Sequence, residues 1–145
     1  MAPSTQSFAN HAQYTPGYHF FASPLGLIFL AWTIKRTIDN PNADTAYMLV
    51  GALALVGAIA MLRLSALRVQ DRVIRLEERL RLGRLLPTDL QPRIEEIRPS
   101  HLIALRFASD AEVTDLVRRV LADPSIKPKA IKQQIKNWKA DYFRA

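Results

Sequence analysis

The chain has 145 residues, a net charge of +7 and no cysteine. The length leaves room for one compact domain, and the absence of cysteine excludes disulfides, thiolate catalysis and thiolate metal sites. The charge is uneven, because the few charged residues before position 63 cancel and residues 63–145 carry the whole surplus. An uncharged half beside a basic half indicates a membrane surface or nucleic acid as the counterpart.

Residues 1–17 are small and polar, contain proline and carry no charged side chain. They lack the basic start and the small-residue cleavage site of a secretory signal. We interpret them as a loose N-terminal arm, or one that becomes ordered on contact. Phe8 and Tyr14, with Tyr18 just beyond the arm, suit a headgroup interface or a groove on a partner.

The uncharged stretch that follows, residues 18–34, is just long enough to span a bilayer. Aromatic residues lie at both of its ends, and Lys35 and Arg36 follow it as a polar stop. A buried helix of a soluble protein is the alternative. The flanking residues and a second apolar stretch close behind favour a membrane span.

Residues 35–44 form a polar connection in which Asn40, Pro41 and Asn42 favour a turn. The second uncharged stretch, residues 45–62, can be capped by Asp44 or Thr45. The two stretches together predict a helical transmembrane hairpin over residues 18–62. No proline occurs between Thr45 and Leu86, so the second helix is predicted to continue to about Leu86.

Small residues recur at helical spacing in both predicted spans. Ala22 and Gly26 are four residues apart in the first span, as are Ala54 and Ala58 in the second. This spacing lets helix backbones approach closely in lipid, where packing drives association. The predicted contact fits the sister helix and a helix of a partner equally well.

The distribution of basic residues predicts the orientation in the membrane. Six arginines follow closely after the second span, whereas the connection holds only Lys35 and Arg36 and the arm holds no basic residue. The positive-inside rule therefore predicts that both termini lie in the cytoplasm and that the connection lies outside.

Residues 63–86 combine an apolar seam with a stripe of arginines. The seam has the spacing of a short coiled coil and consists of Leu62, Ala66, Val69, Val73, Leu76 and Leu80. The stripe consists of Arg68, Arg72, Arg75 and Arg79. It suits lipid phosphates or an acidic partner surface. The alternative is a solvated face with ion pairs at i,i+4, such as Asp71 with Arg75 and Glu77 with Arg81. We expect the seam to pack on the helices that follow, or on a partner.

Beyond Pro87 the pattern predicts short helices and no strand. Capping-box sequences occur at residues 88–91 and 109–112. One amphipathic helix is indicated by Val113, Leu116, Val117, Val120 and Leu121. A last helix carries an apolar side with Ile131, Ile135 and Trp138, and Tyr142 lies just beyond it. Its opposite side is a second candidate for contact with lipid or a partner, formed by Lys129, Lys132, Lys136 and Lys139.

The sequence shows no chemistry of an enzyme. His11, His19 and His101 have no metal-binding spacing and no carboxylate cluster beside them. His19, at the predicted membrane boundary, can ligate a haem or chlorophyll-type metal. We favour an ordinary interfacial ring between Tyr18 and Phe20. With no nucleophile motif, no phosphate loop and no charged residue inside the spans, we expect no catalytic residue, no metal, no cofactor and no ion path.

Several blocks carry a family resemblance. They are residues 68–82 with Leu85-Leu86-Pro87, residues 102–110, and residues 135–138 with Asp141-Tyr142, while Gln6-Ser7-Phe8 and Asn10-His11 are similar to an opening block. These blocks resemble an uncharacterised bacterial family, a domain of unknown function found in small inner-membrane proteins. The resemblance implies a two-span protein of the bacterial inner membrane, and it supplies no catalytic residue.

The prediction is therefore an all-α chain with an N-terminal arm (1–17), a transmembrane hairpin (18–62) and a cytoplasmic helical region (63–145). The favoured function is an accessory or scaffold subunit that docks on a larger membrane complex, for example a respiratory or photosynthetic one. The expected partners are membrane lipids with anionic headgroups and other membrane-protein subunits, and a homo-oligomer stays open.

The alternative function is a membrane-tethered basic module that binds anionic lipid, nucleic acid or an acidic regulator. It would use the basic residues of 63–84 and 127–139 together with Trp138. Nucleic acid is the least favoured of these counterparts, because neither a stacking platform nor a helix-turn-helix is evident.

Overall fold

The computed structural model describes residues 6–10 and 14–141, so the predicted positions His11 and Tyr142 lie outside the described residues. In chain order its elements are a π-helical turn (Gly17–Ala22), α1 (Ser23–Asp39), α2 (Ala43–Leu85), a 3-10 turn (Gln91–Glu96), α3 (Pro99–Leu105), α4 (Val113–Ala122) and α5 (Pro128–Gln134). The described ranges contain no strand beyond an isolated β-bridge between Ala108 and Trp138. The all-α prediction is confirmed.

The chain divides into two compact units. Within the described residues, the hairpin unit consists of residues 14–68, and the tail unit consists of residues 6–10 with residues 69–141. α2 covers the range in which one continuous helix is predicted, and it contributes to both units.

The hairpin unit contains two helical stretches that are long and apolar enough to cross a membrane, Gly17–Asp39 and the first part of Ala43–Leu85. Their apolar side chains point outward, as Phe20, Ile28 and Val50 illustrate, each more than 60% exposed. A helix in the core of a soluble protein would bury these side chains. The exposure is what a lipid environment requires, so the two stretches are candidate membrane spans.

The first helix is longer than predicted, because residues 35–39 continue α1 and do not belong to the connection. Lys35 pairs with Asp39 one turn away, and the Arg36 guanidinium lies 5.7 Å from the centre of the Trp32 ring. Both contacts are made along one helix face and stabilise its last turns. The helix ends at Asp39, and Asn40 leaves the helical region because it precedes Pro41.

The cap of α2 also differs from the prediction, since Asn42 caps the helix and neither Asp44 nor Thr45 does. The Thr45 backbone N–H donates to the Asn42 side-chain oxygen at 3.0 Å. In return, the Thr45 hydroxyl oxygen accepts from the Asn42 backbone N–H at 3.2 Å. These two hydrogen bonds form a reciprocal capping arrangement that fixes the tight connection at residues 40–42.

The contact between the two helices of the hairpin unit centres on small and polar residues. Gly26, Thr33, Thr45 and Ala52 are buried. A Cβ added at Gly26 would lie 3.2 Å from Ile59 Cδ1 and 3.5 Å from Val56 Cγ2. Gly26 therefore lets the two helices approach closely. Among the other predicted packing residues, Ala22 is half-buried, whereas Ala54 and Ala58 are exposed.

We predict that Gly26→Leu destabilises the hairpin unit, because the larger side chain must displace Ile59 and Val56. The expected loss is about 1–3 kcal/mol, the usual cost of overpacking. Thermal unfolding of the full chain in detergent measures it. The matched control is Gly51→Leu, since no atom lies within 4 Å of a Cβ built at Gly51. Equal melting temperatures of the two variants would contradict the prediction.

The tail unit surrounds one hydrophobic core. Its buried residues come from α2, the 3-10 turn, the three short helices and the segments between them, and they include Leu82, Leu86, Leu102, Leu105, Phe107, Val117 and Ile131. The predicted amphipathic face of α4 is confirmed, because Val113, Leu116, Val117 and Val120 are buried and Leu121 packs against the core.

The two capping-box predictions are only partly correct. At residues 88–91 no α-helix begins, and the Gln91 side chain instead donates to the Leu86 carbonyl at 3.0 Å, just after α2 ends. At residues 109–112 one half of the box forms, because Glu112 accepts from the Ser109 backbone N–H at 3.2 Å. The Ser109 hydroxyl makes no hydrogen bond within the described residues.

The last helix is shorter than predicted, because α5 ends at Gln134 and Ile135 is extended. The Glu112 carboxylate accepts hydrogen bonds from the backbone N–H groups of Lys136 and Asn137, at 3.0 and 3.1 Å. These N–H groups would otherwise bond to carbonyls one helical turn earlier. Glu112 thus holds residues 136–138 in an extended path, and Trp138 belongs to a β-bridge with Ala108 and not to a helix.

Candidate interaction surface

The part of the apolar seam that lies in the tail unit is uncovered. Val69, Val73, Leu76 and Leu80 are between 47% and 63% exposed. Leu62, at the predicted start of the seam, is also exposed. The expectation that the tail packs on this seam is therefore wrong. We define Val69, Val73, Leu76 and Leu80 as the open seam.

The tail core packs instead on a second apolar stripe, through Leu82 near the end of α2 and Leu86 just beyond it. Ile74 and Glu78 are also buried and continue this stripe along α2 at four-residue spacing. Because successive residues turn by about 100°, this stripe lies on the side of α2 away from the open seam. One side of α2 is therefore covered by the chain itself, while the opposite side presents apolar groups outward.

An ion-pair network around the mostly buried Arg81 joins the covered side of α2 to the tail. Arg81 Nη1 lies 2.9 Å from Glu78 Oε1, and Arg81 Nη2 lies 2.6 Å from Asp110 Oδ1. Arg81 also donates to the Ala108 carbonyl at 2.7 Å. The predicted pair of Arg81 with Glu77 is thus replaced by contacts to three other groups. With 13% of its side chain exposed, Arg81 is a central polar contact of the tail unit.

The network shifts the pKa of Glu78 and the pKa of Asp110 in opposite directions. Burial raises the pKa of Glu78, although the neighbouring Arg81 opposes this shift. The hydrogen bond from Arg81 lowers the pKa of Asp110, which is largely exposed. The contrast follows from desolvation, which penalises the charged form only where water is excluded.

The raised pKa of Glu78 predicts that the tail unit loses stability as the pH rises above about 4.5. The folded state holds the Glu78 proton more tightly than the unfolded state, so the free energy of unfolding falls until the folded pKa is passed. In Glu78→Gln this fall should be absent. Unfolding of the full chain in detergent across this pH window measures the difference.

Asp110→Asn is the control for this measurement. The lowered pKa of Asp110 contributes stability that is present above about pH 3.8 and is lost only below it. The control should therefore keep the fall above pH 4.5. An identical pH dependence in wild type and Glu78→Gln would contradict the assignment.

The four arginines of the predicted stripe have different surroundings. Arg68 and Arg72 are exposed, and Arg75 is half-buried. Arg75 donates to the Asp71 backbone carbonyl at 3.0 Å, which differs from the predicted side-chain ion pair. Arg79 pairs with Glu95 of the tail at 3.0 Å, which partly offsets its charge.

The four lysines of the predicted second contact surface also have different surroundings. Lys129, Lys136 and Lys139 are exposed, whereas Lys132 lies over the Phe107 ring at 5.1 Å. Trp138 is half-buried, and its ring centre lies 4.9 Å from that of Phe107. Lys132 and Trp138 therefore stabilise the edge of the core, and the structure does not gather the lysines with Trp138 into one stacking surface.

The two described histidines have structural contacts. His19 Nδ1 lies 3.0 Å from the Thr15 carbonyl oxygen, and the rings of Tyr14 and Tyr18 meet it edge-on. His101 is buried in α3, with Nε2 2.9 Å from the Ile126 carbonyl. No group of His, Asp or Glu that could hold a metal ion occurs among residues 6–10 and 14–141.

The N-terminal arm contacts the end of the tail, a contact that sequence reasoning missed. The Gln6 side chain accepts from the Asp141 backbone N–H at 2.8 Å and donates to the Asp141 carbonyl at 3.4 Å. Arg106 holds the Asp141 carboxylate at 3.2 Å. No sequence pattern signals this contact, because its partners are separated by almost the whole chain.

Comparison with known proteins places the chain in a family. A family model described as "Family of unknown function (DUF6526)" matches residues 1–145, the whole chain. The chain is a member of the DUF6526 family. The predicted membership in an uncharacterised family is thereby confirmed. No curated protein and no solved structure matches this DUF6526 chain.

Proposed function

We propose that this DUF6526 protein is a small integral membrane protein that acts as an accessory or scaffold subunit of a larger membrane assembly. The observation that carries the proposal is the open seam. Water-facing helices of a monomer rarely leave such a contiguous apolar face uncovered, and faces of this kind mark interaction sites. We assign no catalytic step to the chain.

Membrane insertion is supported by the hairpin unit. Its outward-facing apolar residues, among them Phe21, Leu27 and Met61, would meet water in a soluble protein and lipid tails in a membrane. Each buried CH₂ group gains about 0.8 kcal/mol on leaving water. Two stretches of this length then provide two spans.

The contact between Gln6 and Asp141 supports an even number of membrane crossings. Gln6 precedes both candidate spans, and Asp141 follows both. Direct hydrogen bonds between them require both residues to lie on the same side of a membrane. Arg68, Arg72 and Arg75 follow the second candidate span, and under the positive-inside rule they favour the cytoplasm for that side. We therefore propose that both termini lie in the cytoplasm, and the resemblance to a bacterial family favours the bacterial inner membrane as the location.

The alternative of a basic binding module receives less support. It needs basic groups that are available to an anionic ligand, but Arg79 is paired with Glu95 and Lys132 lies over Phe107. Anionic lipid headgroups beside the exposed Arg68 and Arg72 are compatible with either function.

The proposal predicts that the protein extracted from its native membrane in mild detergent behaves as an assembly larger than one chain. Leu76→Asp combined with Leu80→Asp should release single chains, because two carboxylates cannot be buried in an apolar interface without large cost. Size-exclusion chromatography with light scattering gives the mass, and mass spectrometry identifies co-purified subunits.

The matched control is Leu85→Asp, a leucine of the same helix that lies outside the open seam and is 37% exposed. It should leave the assembly intact. If wild type already behaves as a single chain, or if the control dissociates the assembly as fully as the seam variant, the seam does not mediate assembly.

A further inference from the structure

We propose that the open seam binds the open seam of a second copy of this chain, in a parallel two-helix contact. The inference rests on the proposed function, because it takes the seam to be a covered assembly surface in the membrane-bound protein. It goes beyond that function by naming the occupant of the seam.

The spacing of the open seam is self-complementary. Val69, Val73, Leu76 and Leu80 follow one another at intervals of four, three and four residues and occupy alternating d and a positions of a heptad. In a parallel pair of helices each of these positions meets its own copy, so no other sequence is needed to complete the packing. The next two positions are Gly83 and Pro87, which end the seam.

The flanking charges are complementary in the same register. Arg72 lies at a g position, and Glu77 lies at the following e position. In a parallel pair the g residue of one helix faces the following e residue of the other. Arg72 of each copy would therefore face Glu77 of the other copy, which gives two equivalent ion pairs. Both residues are exposed and lie beside the seam.

One flanking pair would be repulsive, and the tail already compensates for it. Arg79 is the next g residue and would face Arg84 of the other copy. Arg79 is held by Glu95 of its own chain at 3.0 Å. This ion pair reduces the repulsion and leaves the Arg72 and Glu77 pairs to set the register.

The membrane supplies the parallel direction. Copies that insert with the same orientation carry α2 in the same direction, because α2 contains the second candidate span and the open seam in one helix. The tail leaves the four apolar side chains of the open seam exposed and reaches their flank at Arg79, through Glu95. Four apolar side chains bury less area than a stable soluble dimer needs. Confinement in one membrane raises the effective concentration and offsets this deficit.

Cysteine cross-linking of the full chain in native membranes tests the inference, since the natural sequence has no cysteine. Leu76→Cys should form a disulfide-linked dimer of twice the chain mass on mild oxidation. The matched control is Leu85→Cys, which is 37% exposed and lies one heptad after Glu78 on the tail-facing side of the helix. Its cross-linking should be negligible. Equal cross-linking of the two variants would overturn the inference.

A charge swap provides an independent readout in the Leu76→Cys background. Glu77→Arg places two like charges opposite each other at both symmetric positions and should slow cross-linking about fivefold. Adding Arg72→Glu reverses the pair and should restore the original rate. Slow cross-linking in the doubly swapped chain would contradict the parallel register.

The outcomes also separate this inference from the proposed function. If Leu76→Cys cross-links to a different protein and not to its own copy, the second copy is the wrong occupant while the seam remains an assembly surface. If Leu76→Cys forms no cross-link and is labelled completely by a water-soluble maleimide, the seam is uncovered and both proposals fail.

Discussion

The burial of Leu82 near the end of α2, and of Leu86 just beyond it, is the contact on which the tail unit depends. Its helices α3, α4 and α5 have seven to ten residues each, which is too short for independent stability in water. They become stable by burying apolar faces against one another and against the end of α2. α2 reaches this core because its helix continues well beyond the apolar stretch of the second candidate span.

The same contact explains why one apolar face of α2 stays exposed. α2 carries apolar residues on two opposite sides, and the tail is large enough to cover one of them. Glu78, Arg81 and Asp110 fix which side is covered, because Arg81 is held by the buried Glu78 of α2 and pairs with Asp110 of the tail. The open seam is what remains. Its exposure costs free energy in proportion to its apolar area, and that cost is recovered when another protein surface covers it.

Sequence patterns predicted the elements that depend on local chemistry. The uncharged stretches identified the two candidate spans, and the apolar spacing of α4 identified its buried face. The connection was placed correctly at Asn40 and Pro41, but its length was overestimated, because Lys35 and Arg36 were interpreted as a stop signal. These charged residues remain helical by pairing with residues one turn away.

The errors concern choices that depend on distant residues. Periodicity identified a seam from Leu62 to Leu80, yet residues 74–86 contain a second stripe with equally good helical spacing. Periodicity alone cannot decide which of two apolar stripes the tail covers. Glu112 shortens the last helix by bonding to residues 136 and 137, and Gln6 binds Asp141. Neither contact leaves a local signal in the sequence.

The central claim, that the tail covers one side of α2 and leaves the opposite side open, is tested most directly by methyl NMR of the full chain in detergent. Mixed labelling separates contacts within one chain from contacts between copies. The methyl groups of Leu82 and Leu86 should show intramolecular contacts to core residues such as Leu102 and Val117. Leu76 and Leu80 should show no intramolecular contact to the tail. Contacts from Leu76 and Leu80 to α3 or α4 of the same chain, with none from Leu82, would contradict the account.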